Sequence, residues 1–280
     1  MTALATLEGT RVLVTGASSG IGAALAPMLA ERGATVGIAA RRSDRLSEVL
    51  DASRAAGVGT TGDGGDHRMW SVDLSDPAAA AQLAVDAWDA FGHLDAVVNN
   101  AARPMRRPVQ RLSVDDVEDV MRTNFLSPVA LSLAVLPRML ERDRGVIVNV
   151  GSLAGRVGSP REAAYAASKY ALHGWSEVMA VDLWSTGVDV RLIVPGAIAT
   201  EIWDQPGNDP APYDGPFEPP ETVAAAVCEA LVSDEFERYV PDLKAIAEFK
   251  TSDIDAFMAG AVEFVTTQER QRETQQEPQR

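Results

Sequence analysis

The chain of 280 residues has little that could bind metal or form disulfides: one cysteine, Cys228, and three histidines, His67, His93 and His173. A lone thiol excludes a disulfide framework within the chain. The histidines lie far apart and no Cys/His cluster has ligand spacing, so no metal is expected. Cys228 sits in the apolar run 223–231 and reads as a small buried residue rather than a nucleophile. No run of about 18 uninterrupted apolar residues occurs, so no transmembrane helix is expected. The N-terminus lacks the basic stretch and long apolar run of a signal peptide, and a cytoplasmic location is expected. Positive charge is scarce as well: 25 Lys and Arg face 40 Asp and Glu, for a net charge of -15. That imbalance argues against nucleic acid or an anionic membrane as a partner.

What the chain does have is alternation. Short apolar runs read as strands at 11–14, 35–40, 68–72, 96–99, 146–150 and 188–194. Helical patterns fall between them at 20–32, 44–56, 77–91, 114–140 and 163–185. Pro27 is expected to kink the first helix, and the fourth is expected to break near Pro128. The glycine-rich stretch 57–66 reads as a loop. Strands this apolar are buried on both faces, as parallel strands between helix layers are. The expected fold is therefore α/β: a single-domain, Rossmann-like, doubly wound parallel sheet with helices on both faces and right-handed connections. This domain is taken to span 1–266. Residues 201–220, rich in Pro, Gly and Asp, read as a mobile lid. A helix at 220–231, a short strand at Tyr239 and Val240 and a helix at 254–265 follow. The segment 267–280 is polar and expected to be disordered.

An acidic chain can still bind an anionic dinucleotide through helix ends and local cations. The first strand runs into Thr15-Gly16-Ala17-Ser18-Ser19-Gly20-Ile21-Gly22. Gly16 can make the tight turn, Gly20 lets the backbone approach a pyrophosphate, and Gly22 lets the helix pack closely. Free N–H groups at the helix N-terminus, with Ser18, Ser19 and Ile21 in the same turn, complete a phosphate cradle. The second strand ends in Ala40-Arg41-Arg42. A carboxylate here would suit the ribose of NAD, whereas an arginine fork suits a 2′-phosphate. NADP(H) is therefore preferred over NAD(H), with Arg41 the primary contact and Arg42 beside it. Asp73, followed by Leu74, either accepts from the adenine amino group or caps its own loop.

Tyr165 and Lys169 stand one helical turn apart and share a face. A lysine ammonium beside a phenol favours phenolate and lowers a pKa that otherwise lies near 10. Ser152 lies just past a strand end, where ligands of open sheets bind. Gly16-x-x-x-Gly20-x-Gly22, Asn99-Asn100-Ala101, Asn124, Ser152, Tyr165-x-x-x-Lys169 and Pro195-Gly196 occur in the order and spacing of one family. On these motifs, over about residues 7–200, the chain resembles the short-chain dehydrogenases/reductases.

The resemblance implies hydride transfer between NADP(H) and a secondary alcohol or ketone. Tyr165 would be the acid/base, Ser152 would stabilise the substrate oxygen, and Lys169 would bind the nicotinamide ribose. Asn124 would hold a water that relays protons to Lys169. Asn99 and Ala101 would line the cofactor floor, and Pro195, Gly196, Ile198 and Thr200 the carboxamide end. Two departures stand out. Ala102 replaces the usual glycine, and the glycine-rich ending of the family's tetramers is missing, so a homodimer is favoured over a tetramer. Substrate choice falls to the loops at 103–107, 153–162 and 197–220. There Ile202, Trp203, Tyr213 and Phe217 either wall an apolar, small-molecule pocket or anchor the loop. The alternatives are a cofactor-sensing protein without catalysis and a sugar-nucleotide epimerase or dehydratase. The retained Ser152 and Tyr165 disfavour the first, and the glycine spacing disfavours the second.

Overall fold

The structure, a computed structural model, describes residues 4–61, 65–210, 213 and 215–276. Seven strands form one parallel sheet in the order β3-β2-β1-β4-β5-β6-β7. These are β1 (Arg11–Thr15), β2 (Thr35–Ala40), β3 (Arg68–Ser71), β4 (Ala96–Asn99), β5 (Gly145–Val150), β6 (Val188–Pro195) and β7 (Glu237–Val240). β4 and β5 are buried along their whole length, as their mostly apolar sequences suggest, with Asn99 and Asn149 the polar exceptions. The order reverses between β1 and β4. In an open α/β sheet that switch point opens a crevice at the carboxyl ends of the strands.

Helices cover both faces. On one side α1 (Gly20–Glu31), α2 (Ser43–Thr61) and α7 (Pro220–Leu231) bury Leu25, Leu29, Leu46 and Val227 against the sheet. On the other, α3 (Pro77–Phe91), α5 (Ser127–Glu141) and α6 (Ala163–Asp182) bury Leu83, Trp88, Leu131, Met139 and Met179. The ends of α3 follow from local chemistry. The Asp76 carboxylate accepts from the Ala78 N–H at 2.9 Å, Pro77 opens the helix, and Gly92 closes it at φ 77°.

The expected break near Pro128 is present, and it has a definite form. α4 (Val114–Met121) passes into a π-turn over Arg122–Leu126 before α5 begins. Among the described residues, Val114–Glu141 is the one stretch long and apolar enough to span a bilayer by length and composition. Its α5 portion packs on α3 with Leu131, Val135 and Met139 in the core, so it serves as a layer of the domain.

Three expectations need correction. α2 continues to Thr61, through the stretch read as a loop from 57 onwards. Gly57 and Gly59 cost about 1 kcal/mol each relative to alanine in a helix, which continued backbone hydrogen bonding offsets. Residues 62–64 lie outside the described residues. α1 carries Pro27 inside it, with its neighbours Leu25, Ala26 and Leu29 held by the core. A helix not anticipated, α8 (Lys244–Ser252), follows β7. The last helix, α9 (Ile254–Gln276), extends past the expected end at Val265, and 277–280 lie outside the described residues.

Candidate active site

The turn after β1 is shaped by what its glycines touch. Gly16 has φ +67°, and a Cβ there would stand 2.7 Å from the Ala101 Cα. A Cβ on Gly22 would stand 2.6 Å from the Gly16 carbonyl oxygen and 2.7 Å from Asn100 Nδ2. Helix, turn and the end of β4 thus meet with no room for side chains. Asn100 ties them together: its Nδ2 donates to the Thr15 carbonyl at 2.9 Å. Its N–H donates to Thr15 Oγ1 at 3.0 Å, as does the Ala101 N–H at 3.2 Å. The result is a bare backbone concavity at a helix N-terminus, the form that fits a pyrophosphate.

Arg42 is the arginine turned toward this cradle. Its Nε and Nη2 lie 3.3 and 3.2 Å from Ser18 Oγ, and its Nη1 is 2.8 Å from Glu201 Oε2. Arg41 is exposed, and its charge helps hold the Asp73 carboxyl below its usual range. The larger cause there is the Ser75 N–H, which donates to Asp73 Oδ1 at 2.9 Å. Asp73 therefore caps its own loop with one oxygen. Leu74 beside it is buried, its carbonyl accepting from Ser127 Oγ at 2.6 Å.

Asn99 turns inward. Its Nδ2 donates to Asn149 Oδ1 at 2.8 Å and Ser132 Oγ at 3.1 Å, and Asn149 Nδ2 donates to Ser176 Oγ at 2.8 Å. This buried polar chain fixes β4, β5 and α6 relative to one another. Across the cleft, the segment after β6 is stitched down. The Gly196 N–H donates to the Val240 carbonyl at 2.9 Å, and the carbonyl of buried Ile198 accepts from Trp203 Nε1 at 2.7 Å. Thr200 Cγ2 would lie 2.8 Å from a Cβ on Gly20, whose own φ is +54°. Thr200 thus lies against the phosphate turn, at the end of the segment that carries Pro195, Gly196 and Ile198.

Ser152 begins the loop after β5, and its Oγ accepts from the Ala154 N–H at 3.2 Å. The Tyr165 phenol stands near enough to it for the serine to favour the phenolate. Lys169, one turn along α6, is buried; its Nζ donates to the Val150 carbonyl at 2.9 Å and lies 5.8 Å from the centre of the Tyr165 ring. Burial pulls the Lys169 pKa down to about 8. The phenol departs from expectation. Burial, aided by the charge of Glu162, pushes the Tyr165 pKa up, while Ser152 and Arg106 act the other way and lose. Desolvation of the anion outweighs local positive charge here.

Asn124 lies within the π-turn, fully buried. Its Oδ1 accepts from the Arg103 N–H at 2.7 Å, and its Nδ2 donates to the Arg103 carbonyl at 3.0 Å and to Ser168 Oγ at 3.0 Å. Ser168 in turn donates to the Tyr165 carbonyl at 2.7 Å. Asn124 therefore links the 103–107 loop to the helix that carries Tyr165 and Lys169.

Two residues outside the expected set prove central. Arg106 is buried at 1% exposure although it carries a charge. It donates to the carbonyls of Asp209 at 3.2 Å, Ile202 at 3.3 Å and Trp203, and its guanidinium lies 5.2 Å from the Trp203 ring centre. Nothing in the sequence of an arginine-rich loop signals which arginine turns inward. His173 is the other. The Ser152 N–H points at its Nε2 across 3.4 Å, and added Cβ atoms on Gly151 and Gly155 would fall 2.2 and 2.6 Å from that nitrogen. Burial lowers its pKa to about 3, so it stays neutral and packs under the serine. The pair of glycines around Ser152 was the available signal.

With this geometry in view, the comparisons with known proteins fall into place. A short chain dehydrogenase family model matches residues 10–210, and the chain belongs to that family. A dehydrogenase/reductase SDR family member 7B from Bos taurus is 36% identical over 196 residues, 68% of this chain and 58% of that protein. The match therefore spans little more than half of that relative. A short-chain dehydrogenase/reductase from Burkholderia phymatum, solved with NAD, superposes with TM-score 0.79 at 25% identity, covering 90% of this chain and 96% of that one. A metagenomic short-chain oxidoreductase solved with NADP gives TM-score 0.69 at 31% identity, covering 83% and 96%.

Proposed function

We propose that the chain is an NADP(H)-dependent oxidoreductase acting on a secondary alcohol or ketone, with Tyr165 as acid/base. The observation that carries this reading is Tyr165 set beside Ser152 and one helical turn from buried Lys169, at the strand ends beside a glycine cradle. Solved relatives hold either NAD or NADP, so the cofactor preference rests on this chain's own residues. Ala40 leaves the ribose without a carboxylate at the end of β2, and Arg41 and Arg42 follow it as the cations for a 2′-phosphate. Phosphates would lie on the N–H groups of 18–22, adenine near Asp73 and Leu74, and nicotinamide between Ala101 and the 195–200 segment.

When bound, the dinucleotide supplies or accepts the hydride. The rest falls to the chain. Tyr165 Oη gives its proton to the substrate oxygen in reduction and takes it back in oxidation, while Ser152 Oγ hydrogen-bonds the same oxygen. Lys169 and Asn124 complete the proton path to Tyr165. The edge-to-face contacts of Phe217 with Trp203 at 5.2 Å and Tyr213 at 5.4 Å support an apolar substrate wall. The protein is read as a cytoplasmic homodimer with a small-molecule substrate and neither nucleic acid nor membrane as partner.

The test is consumption of NADPH across a panel of ketones, with Tyr165→Phe alongside. Wild-type turnover should fall by about 10²–10⁴-fold in the variant, the range for general acid–base catalysis. Turnover unchanged in the variant removes Tyr165 from the mechanism. NADPH binding without any turnover favours the cofactor-sensing alternative.

A further inference from the structure

Glu201 opens a short 3-10 turn, Glu201–Asp204, directly after Thr200. Because Thr200 lies against Gly20, the chain here crosses the phosphate turn, and the Glu201 carboxylate lands on its cations. Its Oε2 is 2.8 Å from Arg42 Nη1, and its Oε1 is 3.8 Å from Arg45 Nη1. A hydrogen bond from Ser19 reaches the same carboxylate, and these partners, Arg42 first, hold its pKa below the usual range. Arg42 meanwhile holds the Ser18 hydroxyl with its other nitrogens. The carboxylate thus stands on two guanidinium groups and a hydroxyl at the edge of the cradle. This is the donor set that an external phosphate would recruit. Both Arg42 and Glu201 side chains are about 40% exposed, so the pair can part without unpacking the core.

We propose that Glu201 is a specificity-determining residue: an internal carboxylate that competes with the cofactor's 2′-phosphate for Arg42 and Arg45. The inference rests on the reading of Arg42 as a 2′-phosphate ligand and adds Arg45, which faces the same carboxylate. A dinucleotide carrying that phosphate must displace Glu201 or share the guanidinium groups against its charge. One lacking the phosphate leaves the pair intact. Glu201 therefore narrows the preference for NADP(H) over NAD(H) that the arginines alone would set, and it couples the 2′-phosphate to the 3-10 turn that follows Thr200.

The experiment is equilibrium binding of 2′,5′-ADP and of 5′-AMP to the full chain, for wild type, Glu201→Gln and Arg42→Ala. Glutamine keeps the shape and removes the charge. Removing one charge beside a phosphate in an exposed site is expected to tighten 2′,5′-ADP by about three- to tenfold in Glu201→Gln. Affinity for 5′-AMP should stay within about 1.5-fold, since that ligand places no phosphate at Arg42. Suppose Arg42→Ala weakens 2′,5′-ADP, yet Glu201→Gln leaves it unchanged, weakens it or shifts both ligands equally. The competition is then overturned and the 2′-phosphate reading survives. If wild type does not discriminate between the two ligands and Arg42→Ala alters neither, both fall together.

Discussion

The floor of the cleft and its roof are held by different means. The floor is backbone against backbone: Gly16 on Ala101, Gly22 on the Gly16 carbonyl, and Thr15 and Asn100 binding β1 to β4. The roof, residues 200–210, is held by cations from sequence-distant loops. Arg106 binds three of its carbonyls, the Arg106 N–H donates to Asn208 Oδ1 at 2.6 Å, Arg107 Nε donates to the Gly207 carbonyl at 3.0 Å, and Arg111 pairs with Asp209. A floor of this kind has one arrangement, because nothing in it can move without displacing a strand. A roof hung on side chains can detach while the sheet stays folded. Entry of a substrate and closure over it need such a part, and the floor cannot supply it.

The sharpest way to break this comparison is at the floor. Gly16→Ala places a non-glycine residue at φ +67° and drives its Cβ to 2.7 Å from the Ala101 Cα. The conformational cost alone is about 1–3 kcal/mol, and forced overpacking adds about 1–3 more. Urea unfolding should show a loss of about 3 kcal/mol or more for the whole domain. A smaller global loss would mean that the turn can yield and the floor is softer than described. At the roof, Arg106→Met keeps much of the volume and removes the donors to three carbonyls. Released carbonyls can turn to water, so the expected cost is about 1–3 kcal/mol. It should appear locally: amide exchange rises across 202–209 while β1 and β4 exchange as before. Uniform acceleration through the sheet would show that the roof is not a separate unit.

The same contrast explains what could be read from the sequence. Floor residues announce themselves, because a glycine pattern, Asn99-Asn100-Ala101 and a strand end are local and fall in chain order. The parallel sheet follows from the alternation of apolar runs, and the structure repeats those strands with shifts at the ends of elements, while the strand order comes from folding. The roof resisted because its partners lie about a hundred positions apart, and Arg103, Arg106 and Arg107 look alike in sequence. Only folding buries Arg106 and leaves Arg103 pairing with Asp119 at 3.3 Å near the surface. The direction of the Tyr165 shift was hidden for a related reason. The Tyr-x-x-x-Lys spacing fixes the neighbour, but the depth of burial, which dominates, is a property of the packed domain. Arg41 and Arg42 are adjacent, and only the turn of the chain after β2 decides which faces Ser18.

His173 offers the finest probe of the packing beneath Ser152, because an imidazole buried neutral ties folding to pH. Its ring is buried beneath Gly151 and Gly155, its Nδ1 finds no hydrogen-bond partner, and burial together with Arg156 and Lys169 lowers its pKa to about 3. In the unfolded chain the same imidazole titrates near its ordinary 6.5. Above that pH both states are neutral and the residue contributes no pH dependence. Below it the unfolded chain takes up a proton that the folded chain refuses, so stability falls as pH falls. The slope from this one group approaches about 1.4 kcal/mol per pH unit between 6.5 and the folded value, and levels off below it. His173→Gln keeps an acceptor for the Ser152 N–H and has no proton to take up. The variant should be less stable at pH 7 yet show a flatter decline between pH 6.5 and 5, read from urea midpoints at each pH. A decline as steep as that of the wild type would place the acid sensitivity in the carboxylates, and would mean that the imidazole under Ser152 is solvated enough to accept its proton.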